Sequence, residues 1–117
     1  MNDSVSIWHN SSCGSSKGAM EYLKAKGIEP EVYLYLKERP GKKQIQAVLK
    51  QLKLKPKDLL RPGEKKGEAL GVYEPGITDA QVLDAMAAEP ILIQRPIVIT
   101  AKGAVIARPK ARIDEIL

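Results

Sequence analysis

Two kinds of apolar pattern run along the chain, and each predicts a different secondary structure. Short runs that alternate in polarity, or that are rich in β-branched and aromatic residues, are typical of strands. The segments with this character are residues 4–8, 31–36, 96–100 and 104–107. Only Ala101, Lys102 and Gly103 separate the last two, which predicts a tight hairpin.

Other segments carry their apolar residues at helical spacing. The i, i+3, i+4, i+7 pattern is clearest at Ile45, Val48, Leu49 and Leu52. The segments predicted as helices are residues 14–26, 41–52, 57–61, 78–89 and 110–117. Thr78 and Gln81 fit a capping box at the start of the fourth of these. Residues 63–77 hold four glycines and one proline, so we expect mostly loop there, with one turn of helix.

The order of these elements indicates the fold class. Strand, helix and strand come first, then several helices, then strand, strand and helix. The first three make a βαβ unit, so the class is α/β. A length of 117 residues favours one domain over residues 1–117, with a helical segment at about 41–90 inserted between the two halves. Ligands of open α/β sheets bind at the carboxyl ends of the strands, so the loop after the first strand is a candidate site.

Composition removes several classes of function. The chain has one cysteine and one histidine, which excludes an internal disulfide, a multi-thiolate metal site and a His-rich metal site. No apolar run approaches the roughly 18 residues that a membrane-spanning helix needs. Polar residues interrupt the apolar stretch near the N-terminus, so no signal peptide is expected. We therefore expect no membrane partner and a reducing, cytoplasmic location.

The formal net charge of +5 would suit nucleic acid, a membrane surface or small anions. The lysines, however, occur at mixed spacing in the predicted helices. No basic run is interleaved with aromatic residues, as a binder of single-stranded nucleic acid would require. The pattern favours solvated helix faces over a nucleic-acid partner.

Cys13 stands in His-Asn-Ser-Ser-Cys-Gly-Ser-Ser, between the first predicted strand and the first predicted helix. Unpaired backbone N–H groups and the helix dipole favour an anion at this position, and both lower the pKa of a thiol. The alternative is an inert buried cysteine, but the Ser- and Gly-rich setting argues against it. His9 either lowers the pKa of the thiol or binds the backbone at the end of the strand.

Three arginines share a local context, since each precedes a proline at the edge of a predicted element. They are Arg61, Arg95 and Arg108. The planar guanidinium suits tetrahedral oxyanions, and the following proline favours an extended backbone at the arginine. Taken singly, each is more readily explained as a surface residue.

Several stretches together carry a resemblance to a known family. They are IWHNSSCGSSK, LYLKERP, LLRPGE, ITDAQVLDAMAAEPILIQRPIVIT and ARPKARIDEIL. Over essentially its whole length the chain resembles the glutaredoxin-coupled arsenate reductases, which have a thioredoxin-like fold. The joint occurrence of these stretches is specific, although any one of them alone would be weak.

The resemblance implies a role for each candidate residue. It implies that Cys13 is the catalytic cysteine, that His9 affects its pKa and that Ser16 lies near the thiolate. The oxyanion-binding arginines that it implies are Arg61, Arg95 and Arg108. It also implies a cis-proline at Pro96, before the third strand.

Two positions depart from the family pattern. Ser11 stands where many members have proline, and Lys17 stands where many have arginine. Lysine keeps the positive charge but loses the bidentate geometry of arginine. Neither departure removes a core catalytic group, so both bear on rate and affinity rather than on the type of reaction.

The number of electrons that arsenate reduction requires shows how many thiols must take part. Reduction of arsenate to arsenite takes two electrons, and one cysteine that enters a disulfide supplies one of them. The chain has no second cysteine, so another molecule must supply the other thiol. The resemblance implies glutathione as thiol co-substrate, glutaredoxin as the partner that resets Cys13, and no bound cofactor.

Three alternatives stay open at this point. The chain could be an Spx-like regulator that binds RNA polymerase, although such proteins typically use a Cys-x-x-Cys switch and position 16 is serine. It could be a monothiol glutaredoxin-like protein, which would leave the three arginines unexplained. It could also be a family member whose physiological oxyanion is not arsenate.

Overall fold

A computed structural model describes residues 5–10 and 13–117. These residues fall into two compact units, each with its own buried apolar residues. The first unit contains the described residues up to Glu38 together with Arg95–Leu117, and the second contains Arg39–Gln94. The second unit matches the predicted helical insertion closely, while the prediction of a single domain stays a prediction.

The first unit is built on a four-stranded sheet. Its strands are β1 (Ser6–Trp8), β2 (Glu31–Tyr33), β3 (Ile97–Thr100) and β4 (Gly103–Ile106). They lie in the order β2-β1-β3-β4. The β1 and β2 strands are parallel, whereas β1–β3 and β3–β4 are antiparallel, with Trp8 opposite Ile97. The α/β class, the βαβ start and the β3–β4 hairpin are confirmed.

Helix α1 (Gly14–Ala25) connects β1 to β2 and covers one face of the sheet. Its buried Ala19 and Leu23 belong to one apolar core with Ile7 of β1 and Val98 of β3. The helix ends just before Gly27, whose positive φ of 78° is a conformation that glycine adopts without steric cost. A 3-10 helix (Lys110–Ile116) also contacts α1 and closes this core.

The second unit is helical. Its helices are α3 (Lys42–Leu52), α4 (Pro56–Leu59), α5 (Lys65–Leu70), α6 (Asp79–Ala88) and the 3-10 turn Pro90–Leu92, while α2 (Tyr35–Glu38) precedes them in the first unit. The predicted capping box of α6 is present, since Thr78 Oγ1 accepts the Gln81 N–H at 3.1 Å and Gln81 Oε1 accepts the Thr78 N–H at 2.9 Å.

Several predicted elements differ from the structure in extent or in type. The strand predicted at 31–36 ends at Tyr33, because the Glu38 carboxylate accepts the N–H of Leu34 at 3.1 Å and the chain turns into α2. The segment 63–77, predicted as mostly loop with one turn of helix, contains α5, which is six residues long. The C-terminal helix is a 3-10 helix. Ser4 of the first predicted strand and Ser11 lie outside the described residues.

Candidate active site

Cys13 caps the N-terminus of α1, at the carboxyl end of β1. Its backbone is extended, its carbonyl accepts the N–H of Lys17 at 3.0 Å, and its own N–H donates to the Asn10 carbonyl at 3.0 Å. The side chain is partly exposed, and the first turn of α1 contains no acidic residue. A negative charge at Cys13 therefore faces the positive end of a 12-residue helix without a competing carboxylate.

The pKa of the Cys13 thiol is lowered from its ordinary value. The largest single influence, partial burial, raises the pKa, but the other influences together outweigh it. They are hydrogen bonding from the Arg95 guanidinium, hydrogen bonding from the backbone N–H groups of Ser16 and Ser15, and the positive charge of Arg95. The Cys13 side chain makes no capping hydrogen bond to α1 in the structure, and the thiolate is the form that accepts strongly from N–H groups.

Arg95 reaches the thiol because of the sheet topology. Trp8, at the end of β1, pairs with Ile97, at the start of antiparallel β3, so the residues before β3 lie beside the loop that carries Cys13. The Arg95–Pro96 bond is cis, which agrees with the expectation for Pro96. Arg95 is 8% exposed, yet among residues 5–10 and 13–117 its Nε and Nη1 atoms have no hydrogen-bond partner. A buried guanidinium with unused donors is a natural site for an anion.

Ser16, which is buried, and His9, which is partly buried, contact each other close to the loop that carries Cys13. Ser16 is fully buried, and its hydroxyl oxygen lies 2.6 Å from His9 Nδ1 and accepts the N–H of Asn10 at 3.0 Å. Burial, and then the positive charge of Lys17, lower the pKa of His9, so its neutral form is favoured. The structure therefore places Ser16 near the thiol, but it is the backbone N–H of Ser16 that stabilises the thiolate. His9 is linked to this arrangement by its contact with Ser16, and its effect on the pKa of the thiol stays a prediction.

Arg108 lies at a pocket of about 420 Å³ next to the start of α1. Its side chain is exposed, and the Arg108–Pro109 bond is cis. Gly14 and Ser15, the two residues that follow Cys13, line the same pocket. The structure thus gathers Cys13, Ser16, His9, Arg95 and Arg108 at one end of the first unit.

Arg61 belongs to the second unit, where several contacts fix its position. Its N–H donates to the Leu92 carbonyl at 2.7 Å, and its carbonyl accepts the Tyr73 hydroxyl. The side chain is half-buried, with Nε at 3.4 Å from Glu64 Oε2, and Nη1 is buried without a partner. Like Arg95, Arg61 holds an unused buried donor; its role at the Cys13 site stays a prediction.

Sequence reasoning missed three contributions to these sites. Glu64 forms an ion pair with Arg61, and its position three residues after Arg61 in LLRPGE could have indicated this pair. Tyr73 binds the Arg61 carbonyl, and Lys110 lines the Arg108 pocket, but no sequence signal identified either residue. Lys17, one of the two departures, is exposed and lies close enough to His9 to lower its pKa.

A sequence model of the ArsC family matches residues 8–116. The chain belongs to the ArsC family. This ArsC protein is 37% identical over 113 residues to an arsenate reductase of Escherichia coli, which covers 97% of this chain and 80% of that protein. It is also 37% identical over 113 residues to an arsenate reductase of Synechocystis, which covers 97% of this chain and 81% of that protein.

The ArsC fold is equally clear from a solved structure. An arsenate reductase from Vibrio cholerae superposes with a TM-score of 0.95 and 32% sequence identity, over the full length of both chains. This likeness confirms the thioredoxin-like α/β fold class. Within residues 5–10 and 13–117, no group of three or more potential metal ligands is found, and no helix is long and apolar enough to cross a membrane.

Proposed function

We propose that this ArsC family member reduces arsenate to arsenite with the Cys13 thiolate as nucleophile. The observation that carries the proposal is the thiol of lowered pKa at the start of α1, beside a buried Arg95 with unused donors. The names of the similar proteins support arsenate as the substrate. Loss of oxygen from arsenate needs both a nucleophile and a way to offset charge on the oxyanion, and these two residues supply them.

Arg95 is the first candidate to bind the oxyanion. Its Nε and Nη1 donors can bond the arsenate oxygens while the guanidinium keeps Cys13 ionised. The resemblance to the arsenate reductases also assigns Arg108 and Arg61 to the oxyanion. The exposed Arg108 side chain beside Ser15 supports that role for Arg108, while the role of Arg61 stays a prediction. Phosphate has the same shape and charge, so selection for arsenate comes from the ready bonding of sulfur to arsenic.

The proposed reaction needs a second thiol. The Cys13 thiolate displaces one oxygen of arsenate, which leaves as water after protonation. The sulfur of glutathione then bonds to the Cys13 sulfur, and the electron pair of the sulfur–arsenic bond stays on arsenic as it becomes arsenic(III). Glutaredoxin removes glutathione from Cys13 by thiol–disulfide exchange. No bound cofactor is involved, and a reducing cytoplasm is the compartment that fits this chemistry.

The described site gives less support to the alternatives. An Spx-like switch would need a second thiol at position 16, where a buried serine hydroxyl bonds His9 and the Asn10 backbone instead. The function of a monothiol glutaredoxin-like protein would not explain the free donors of Arg95.

Arsenate-dependent oxidation of NADPH tests the proposal, with glutathione, glutathione reductase and glutaredoxin supplied. We expect turnover with the wild-type protein, none with Cys13→Ser, and none when any one component is omitted. Turnover by Cys13→Ser would refute the role of the thiolate. Activity on a glutathionylated test substrate that survives Arg95→Ala, without arsenate turnover, would favour the monothiol glutaredoxin-like reading.

A further inference from the structure

The pocket beside the start of α1 is larger than an oxyanion needs. Its volume of about 420 Å³ lies within the roughly 300–1,000 Å³ that is usual for small-molecule sites. Two segments of the first unit form it, the start of α1 and the chain that follows β4. Its lining residues are Gly14, Ser15, Gly18, Ala107, Arg108, Pro109 and Lys110.

The pocket carries two positive charges and no negative one. Arg108 and Lys110 both line it and both are exposed. Among the described residues neither of them forms an ion pair, because the two nearby carboxylates are used elsewhere. Asp114 lies 3.1 Å from Lys26 Nζ, and Glu115 lies 3.4 Å from Arg112 Nε. The pocket therefore favours an anionic ligand.

One wall of the pocket is continuous with the thiol site. The backbone N–H of Ser15 stabilises the Cys13 thiolate, and Ser15 also lines the pocket. The space along this wall is open, since a Cβ at Gly14 would meet no atom within 4 Å and one at Gly18 would meet only the Lys110 side chain, at 3.9 Å. A ligand in the pocket can thus lie against the backbone of α1 at Ser15, two residues from Cys13.

We propose that this pocket binds the carboxylate end of an anionic peptide thiol, with Lys110 as a binding residue beside Arg108. The inference rests on the proposed function, which requires an external thiol. A tripeptide thiol such as glutathione carries two carboxylates and a sulfur separated by a flexible backbone. Lys110 offers a point charge on a flexible stem for one carboxylate, while Arg108, which is assigned to the oxyanion, adds positive charge to the pocket wall. The free donors of Arg95 stay available for the oxyanion.

The test uses exchange at Cys13, which needs no arsenate. The Cys13 thiolate attacks one sulfur of glutathione disulfide, a Cys13–glutathione disulfide forms, and one glutathione thiolate leaves. Mass spectrometry gives the rate with glutathione disulfide and with uncharged hydroxyethyl disulfide. We expect Lys110→Gln to slow only the reaction with glutathione disulfide, by about five-fold. The matched control, Lys24→Gln, removes an exposed lysine from the last turn of α1 and should change neither rate.

Ionic strength supplies a second readout on the wild-type protein. Added salt should slow the reaction with glutathione disulfide more than that with hydroxyethyl disulfide, because attraction between exposed charges is screened. The difference between the two disulfides in how much salt slows the reaction should be smaller in Lys110→Gln. Equal slowing of both disulfides by Lys110→Gln would show an effect on the thiolate, and would overturn the proposal. Unchanged rates with both disulfides would also overturn it.

Steady-state kinetics separate the pocket from the oxyanion site. Lys110→Gln should raise the KM for glutathione and leave the KM for arsenate unchanged. A raised KM for arsenate with an unchanged KM for glutathione would assign the pocket to the oxyanion and refute the proposal. If the protein does not reduce arsenate, the exchange rates still test the pocket, so the two proposals can fail separately.

Discussion

Replacement of Arg95 by methionine should raise the pKa of Cys13 and slow its alkylation. The guanidinium lowers the pKa of the thiol through a hydrogen bond and through its charge, and methionine keeps much of the side-chain volume while it removes both. A hydrogen bond to a charged group contributes about 1.5–3 kcal/mol. Because Cys13 is partly exposed, solvent screening favours the lower end of that range, about 1.5 kcal/mol.

The expected effect on the thiolate follows from this energy. Since about 1.4 kcal/mol corresponds to a ten-fold change in an equilibrium constant, the thiolate fraction below its pKa should fall about ten-fold. Arg95→Met should not weaken the fold, because the wild-type side chain buries two donors without partners. Each unsatisfied buried donor costs about 1–3 kcal/mol, so the free energy of unfolding should rise by at least about 1 kcal/mol when Cys13 is protonated.

The assay is the rate of iodoacetamide alkylation as a function of pH. Cys13 is the only cysteine, so the modified mass reports on this thiol alone. Arg112→Met is the control, because it removes an exposed arginine that pairs with Glu115 in the same unit. Identical pH profiles for Arg95→Met and wild type would refute the stated cause of the lowered pKa. A fold destabilised by the change would refute the argument about unused donors.

Three further changes test the support of the site. Gly67→Ala, which would usually stabilise a helix, should lower the free energy of unfolding in urea by about 1–3 kcal/mol, because the new Cβ would lie 2.6 Å from the Tyr73 hydroxyl oxygen. Ser16→Ala should cost about 1–3 kcal/mol but change Cys13 alkylation little, because the thiolate uses the backbone N–H of Ser16. The pKa of His9 is lowered in the folded protein. Its contribution to the free energy of unfolding is therefore present above about pH 6.5 and is lost as the pH falls through the folded pKa. The free energy of unfolding of His9→Gln should lack this loss.

Each of these three predictions would be contradicted by a specific result. Unchanged or higher stability of Gly67→Ala would show that Tyr73 moves aside freely. A large change in alkylation of Ser16→Ala would show that the hydroxyl acts on the thiolate directly. Parallel stability profiles of wild type and His9→Gln between mildly acidic and neutral pH would show that the histidine titrates alike in the folded and unfolded chain. Ala69→Gly, an exposed change in the same helix as Gly67, is the control for helix propensity.

Much of the fold could be predicted from apolar periodicity. The β1, α1, α3 and α6 elements each carry a local pattern or cap that the structure retains. Local contacts explain why two helices differ from the prediction. The Glu38 carboxylate turns the chain into α2 despite strand-forming residues, and α5 forms in a glycine-rich segment where the buried Gly67 lets the Tyr73 ring pack closely.

The site could be predicted only in part. The position of Cys13 before a helix followed from the strand–helix pattern, but which groups reach the thiol depends on distant pairing. Arg95 is brought close through the antiparallel β1–β3 register, which no local pattern encodes. The use of the Ser16 backbone in place of its hydroxyl also depends on the burial of that side chain against His9.

The most direct test of the central claim is a single turnover without glutaredoxin. Wild-type protein would be mixed with arsenate and glutathione, and the products separated and measured by mass spectrometry and arsenic speciation. The account predicts one arsenite per chain together with one glutathione bound to Cys13, and neither product with Cys13→Ser. Arsenite formed without a modified Cys13, or a modified Cys13 formed equally well without arsenate, would contradict it.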